Sequence, residues 1–139
     1  MRILLSALAL YLPMLLLSQT RYITDADIII GAKQIELYKA QLAGKQVAIT
    51  GNHTSMIDSV HLVDWLHAKQ VNVTKVFAPE HGFRGKADAG EKVESGKDAK
   101  TGLPIVSLYG SHKKPTPIDL EGIDVMLFDI QDVGARFYT

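Results

Sequence analysis

Four short apolar runs, each closed by polar or turn-forming residues, limit what this chain can fold into. They are Gln46-Val47-Ala48-Ile49-Thr50, Val73–Phe77, Ile105-Val106-Ser107-Leu108 and Ile123–Ile130. Near-continuous runs rich in Val and Ile read as strands covered on both faces, as in parallel sheets. The first two are separated by about twenty residues carrying Leu62, Val63, Trp65 and Leu66 as one apolar helix face, with Ser55 and Asp58 spaced as a capping box. A strand–helix–strand unit with a crossover of that length favours parallel pairing. The expected class is therefore α/β with a mainly parallel sheet.

Ahead of the first strand, Ile35, Tyr38 and Leu42 recur at 3,4 spacing and stop at Gly44, so a helix is expected from Gly31. Residues 82–102 read as a long polar loop rich in Gly and Lys, a length that is usually functional or mobile. Ile118–Glu121 has room for one helical turn. The fourth strand leads directly to Gln131-Asp132-Val133-Gly134-Ala135-Arg136, with no covering helix before Thr139. One sheet face is thus expected to be poorly protected, as in the N-terminal part of a longer protein.

At the start, Arg2 precedes the apolar run Ile3–Leu17, broken only by Ser6 and Pro13, and a polar exit follows at Ser18-Gln19-Thr20-Arg21. This is the pattern of an export signal over residues 1–20, with an uncleaved anchor as the alternative. A spanning helix needs ~20 apolar residues, and this run is shorter. A periplasmic or secreted protein is expected, touching a membrane only through that segment. Residues 21–139 form the expected domain.

The chain of 139 residues has 15 Lys and Arg against 15 Asp and Glu, so no basic field exists to draw in nucleic acid. It has no cysteine, which removes thiol catalysis, cysteine-based zinc sites and disulfides from consideration. Gly90 to Gly96-Lys97-Asp98 has the wrong spacing for a phosphate loop and no Ser or Thr after the Lys.

Chemistry concentrates in Val76–Gly85, V-F-A-P-E-H-G-F-R-G, where an apolar strand stops at Pro79 and delivers Glu80, His81 and Arg84. Carboxyl ends of parallel strands are where α/β proteins place their sites. Pro-Glu-His-Gly is equally an acceptable turn with solvated Glu and His. Two further exits favour the functional reading. The first strand ends in Asn52-His53-Thr54, and the fourth delivers Asp129, Gln131 and Asp132. If the strands are parallel, these groups share one sheet edge. Asn52-His53-Thr54 also reads as a capped turn, and Asp132 with Arg136 as a surface ion pair. His61, His67 and His112 read as solvated. The set His53, Glu80, His81, Asp129 and Asp132 holds enough N and O donors for a divalent ion. No H-x-x-x-H pair is present, and neighbours Glu80 and His81 point apart in an extended chain. Neither a metal nor a cofactor is expected.

The segments T-G-N-H-T (Thr50–Thr54), F-A-P-E-H-G-F-R-G (Phe77–Gly85), A-G-E-K-V (Ala89–Val93), T-G-L-P-I-V-S-L-Y-G (Thr101–Gly110) and G-I-D-V-M-L-F-D-I-Q-D-V-G-A-R-F-Y-T (Gly122–Thr139) occur in this order. Together they resemble the exo-β-N-acetylmuramidase family, long labelled a domain of unknown function. The resemblance implies a Rossmann-like, doubly wound N-terminal domain followed by a smaller C-terminal one. It implies a glycosidase that removes terminal N-acetylmuramic acid from the non-reducing ends of peptidoglycan fragments, with muropeptides as partners. It makes Glu80 the catalytic glutamate and puts a second carboxylate further along than Thr139. Such hydrolysis commonly uses two carboxyl groups, and Asp129 or Asp132 beside Glu80 would raise its proton affinity by like-charge repulsion. Asn52, His53, His81, Gln131 and the fork of Arg84 or Arg136 are the expected substrate contacts, with an Arg suited to the lactyl carboxylate of muramic acid. The alternatives are a muropeptide-binding module without catalysis and a metal-dependent hydrolase.

Overall fold

The computed structural model describes Thr24 and residues 28–85 and 95–131. Its centre is β1 (Val47–Gly51), with Val47, Ala48 and Ile49 all fully buried. β1 pairs in parallel with β4 (Val73–Ala78) on one side and with β7 (Val125–Asp129) on the other. β4 pairs in parallel with β6 (Pro104–Ser107), and β5 (Gly96–Lys97) closes that edge antiparallel to β6. The sheet order is β5-β6-β4-β1-β7. Its parallel strands thus lie in the order third, second, first, fourth, as in the first half of a doubly wound sheet. The chain leaves β1 in both directions, so a topological switch point falls between β1 and β7. That is where such sheets open a crevice at their carboxyl ends.

β1 and β4 show no inside–outside alternation: Val76, Phe77 and Ala78 are as dry as the β1 residues. α2 (Leu62–Ala68) lays Leu62, Val63 and Leu66 on the core. It ends where Gln70 takes a φ of +61° and the Val71 N–H bonds back to the Leu66 carbonyl at 3.0 Å. Ile35, Leu42, Ile57 and Phe83 complete the cluster.

The structure corrects the sequence reading in five places. The helix expected from Ser55 begins only at Leu62, capped by His61. A ribbon of β2 (Met56–Ile57) and β3 (Val60–His61) takes the intervening residues. Asp58 turns that ribbon at a φ of +53°, which Asp tolerates better than most residues, and its carboxylate pairs with Lys33. The helix expected over residues 31–42 is two 3-10 turns, Gly31–Lys33 and Ile35–Leu37, and a single turn α1 (Lys39–Leu42). Only Ile35 and Leu42 of that stretch are buried, too little packing to stabilise a short helix. β7 is shorter than expected and not covered on both faces: Phe128 is 73% exposed. The polar loop over residues 82–102 contains the edge strand β5, while residues 86–94 lie outside the described residues. Ile118–Glu121 forms hydrogen-bonded turns in place of a helix. Residues 1–20, read as an export signal, also lie outside the described residues.

Candidate active site

β4 hands the chain to Pro79 and Glu80 at the edge shared by the parallel strands. The Gly82 N–H closes the turn on the Pro79 carbonyl at 3.1 Å, with His81 and Gly82 both at positive φ. A histidine held at a φ of +70° stores backbone strain, which persists only where surroundings enforce it. Here the enforcing contacts are the next two side chains. Phe83 is 3% exposed and packs edge-on against His61 at 4.5 Å between ring centroids.

Arg84, expected as a substrate fork, is the second anchor. Its Nε and Nη2 donate to the two Asp98 carboxylate oxygens, both at 2.7 Å. Its Nη1 and Nη2 donate to Asp64 at 3.1 and 2.9 Å. Lys100 adds a bond to Asp64 at 2.8 Å. The guanidinium is therefore committed to protein carboxylates, joining the loop to α2 and to the turn before β6. Its hydrogen bonds hold Asp98 well below the usual carboxylate range and lower Asp64 as well.

Across the sheet, β6 continues to Leu108 and Tyr109. The Leu108 N–H bonds the Ala78 carbonyl at 2.7 Å, extending the Ala78↔Ser107 register by one residue. Glu80 and Tyr109 each stand two residues past their strand's end, and the Tyr109 phenol hydrogen-bonds the Glu80 side chain. That bond, some loss of water and the carboxylate's charge raise the phenol above its ordinary value. Sequence reasoning missed Tyr109. The signal was there in the matching offsets of the two exits, but it needed the strand pairing to be visible.

The β1 exit is built tightly. Asn52 is 2% exposed, and its side-chain oxygen accepts from the Thr54 N–H and hydroxyl at 2.9 and 2.7 Å. Its N–H donates to Ser55 Oγ at 3.1 Å, and its carbonyl accepts from His61 Nε2 at 3.0 Å. Asn52 thus shapes the loop, with its carbonyl oxygen already engaged. Ser55 Oγ donates in turn to the Asp129 carbonyl. The Gln131 N–H reaches Thr54 Oγ1 at 3.3 Å, which ties this loop to the β7 exit. His61, expected to be solvated, is 7% exposed. Its Nδ1 accepts from the Val63 N–H, and burial pushes its proton affinity down.

His53 stays exposed, and its ring meets that of His81 edge-on at 6.4 Å. A Cβ on Gly85 would fall 2.6 Å from the His53 Cβ, so the β1 and β4 loops touch there. The structure therefore brings His53, His81 and Glu80 together at one end of the sheet. Asp129 shares the row through Gly51, but two strand spacings of ~4.8 Å separate its backbone from that of Ala78. Its carboxyl is raised by burial and opposed only by His61, so like-charge repulsion from Glu80 is not what raises it. Asp129 lines a separate hollow of about 210 Å³ with Gly31, Tyr38, Leu62 and Phe128. Among the described residues no three His, Asp or Glu side chains gather as a divalent ion requires. Asp132 and Arg136 lie outside the described residues.

The profile of the family described as Exo-beta-N-acetylmuramidase NamZ, N-terminal, matches residues 47–139. The peptidoglycan beta-N-acetylmuramidase NamZ of Bacillus subtilis is 48% identical over 106 residues, covering 73% of this chain and 25% of the relative. Two crystal structures of DUF1343 family proteins from Bacteroides fragilis superpose on it. One has a TM-score of 0.64 at 44% identity, over 79% of this chain and 27% of that one. The other has 0.67 at 40%, over 78% and 27%. The chain thus spans about a quarter of the length of these relatives.

Proposed function

The chain belongs to the family of NamZ exo-β-N-acetylmuramidase N-terminal domains, and from that membership we propose that it forms the catalytic N-terminal part of a glycoside hydrolase. The substrate in this reading is a peptidoglycan fragment, and the product is N-acetylmuramic acid released from a non-reducing end. The observation that carries it is Glu80, held by a hydrogen-bonded neighbour in a strained, doubly anchored loop at the carboxyl edge of a parallel sheet. Such hydrolysis needs one carboxyl group to act on the glycosidic oxygen and another on the sugar or on water. We assign Glu80 the first of these. We assign His53 and His81, whose rings lie edge-on to each other, as donors to sugar hydroxyls, while Asp129 lines the neighbouring hollow and Gln131 follows it in the chain. With Arg84 occupied, Arg136 is the remaining candidate for the lactyl carboxylate. Arg2 and the apolar run Ile3–Leu17 support a location outside the cytoplasm.

The test is Glu80→Gln in the full-length protein, assayed on a chromogenic muramic acid glycoside. Turnover is expected to fall at least about a hundredfold with circular dichroism unchanged. Hydrolysis at the wild-type rate would refute the assignment of Glu80. Tight muropeptide binding by a wild-type protein that hydrolyses nothing would favour a binding module.

A further inference from the structure

We propose that Tyr109 is a positioning residue for Glu80, fixing the carboxylate from the neighbouring strand exit. The inference rests on the glycosidase reading above and adds to it a residue that acts through Glu80.

The sheet supplies the geometry. β4 and β6 run in parallel with Ala78 beside Ser107, and the Leu108 N–H to Ala78 carbonyl bond of 2.7 Å keeps the chains side by side past their last paired residues. Equal offsets from that point carry Glu80 and Tyr109 into hydrogen-bond reach. The ring is stiff, with few torsions to lose, and Gly110 turns the backbone away at a φ of +71° immediately after it. A glutamate side chain after a turn has three torsions to order, and a phenol O–H on one oxygen removes much of that freedom. The phenol's own raised proton affinity keeps it a donor at any pH at which the enzyme would work. Among the described residues, the other titratable groups on the elements around Glu80 include His81 and Arg84 on its own loop, the latter paired with Asp64 and Asp98, His53 on the β1 exit, His112 after Tyr109, paired with Asp119, and Asp129 at the end of β7. The last belongs to a different hollow.

Tyr109→Phe keeps the ring and deletes only the donor. In the full-length protein it is expected to lower kcat about tenfold with KM within about twofold, because the lost interaction orients the reacting group and does not bind substrate. Losing a donor disfavours the carboxylate, so the limb of the pH–rate profile that Glu80 governs should move to higher pH. A merely structural tyrosine would leave that limb in place. Unchanged kcat and pH profile in Tyr109→Phe, with Glu80→Gln still inactive, would overturn the role of Tyr109 alone. Activity in Glu80→Gln would instead refute the reading beneath it. An ultraviolet difference titration, with Tyr109→Phe identifying the Tyr109 signal, gives a readout free of turnover. In Glu80→Gln the phenol should ionise at lower pH than in wild type, and identical titrations would mean that the two groups do not interact.

Discussion

At Gly85 the backbone sits at a φ of +66°, and the space a side chain would need is filled by His53. Gly85→Ala therefore meets strain and a clash together. It is expected to destabilise by about 1–3 kcal/mol in urea unfolding, and the further change His53→Gly, which removes the Cβ met at 2.6 Å, should restore part of the loss. Ser55 is the second residue on which the site depends. Its hydroxyl accepts from the Asn52 N–H and donates to the Asp129 carbonyl, so it clasps two strand exits. Ser55→Ala leaves a buried N–H without that partner and should cost about 1–3 kcal/mol, read from the same urea transition. The close approach also explains Gly51, where a Cβ would lie 2.7 Å from Ser55 Oγ.

The element that carries Glu80 is a loop held at both ends. β4 fixes its start, and Phe83 with Arg84 fixes its finish against His61, Asp64 and Asp98. Arg84→Met removes the partner of Asp98, whose side chain is 3% exposed. Leaving that carboxylate buried without a cation, with only its hydrogen bonds from Thr101, should destabilise by about 3 kcal/mol. The same variant distinguishes a structural arginine from a substrate fork. A fork would raise KM with the urea midpoint unchanged, whereas the ion-pair role lowers the midpoint first. The order of elements was legible in the sequence because apolar runs and turn residues are local signals. The ribbon at residues 56–61 was not, because Ser55 and Asp58 fit a helix cap as well as they fit a turn. Only tertiary contacts tell them apart: Met56 and Ile57 pair with His61 and Val60, and the Ser55 hydroxyl donates to the Asp129 carbonyl.

For the whole molecule, the buried groups dictate how stability responds to acid. Burial lowers the proton affinity of native His61, so the unfolded chain binds its proton first. Stability is then lost as pH falls below about 6.5, the ordinary histidine value. Asp64 and Asp98 are depressed carboxylates, and their contribution is full above about pH 4 and lost as pH falls below it. Asp129 works the other way: its raised carboxyl favours the native state at low pH and loses that advantage as pH rises. Urea midpoints measured against pH should therefore fall in two stages. His61→Gln should flatten the upper stage, and a wild-type midpoint constant from about pH 8 to pH 5 would contradict this account.

The sequence by itself determined which segments become the four parallel strands, that Glu80 leaves one of them, and which family the chain joins. Each of these is written in neighbouring residues: dry runs, a proline stop, a glycine-rich turn. Tertiary structure alone decided that β1 lies between β4 and β7, that Arg84 faces two aspartates, that His61 is buried and that Tyr109 meets Glu80. Those outcomes depend on pairs far apart in the chain, such as Ser55 with Asp129 or Arg84 with Asp64. No local pattern encodes such a partner, because its position is set by strand register and by what the shared core can cover.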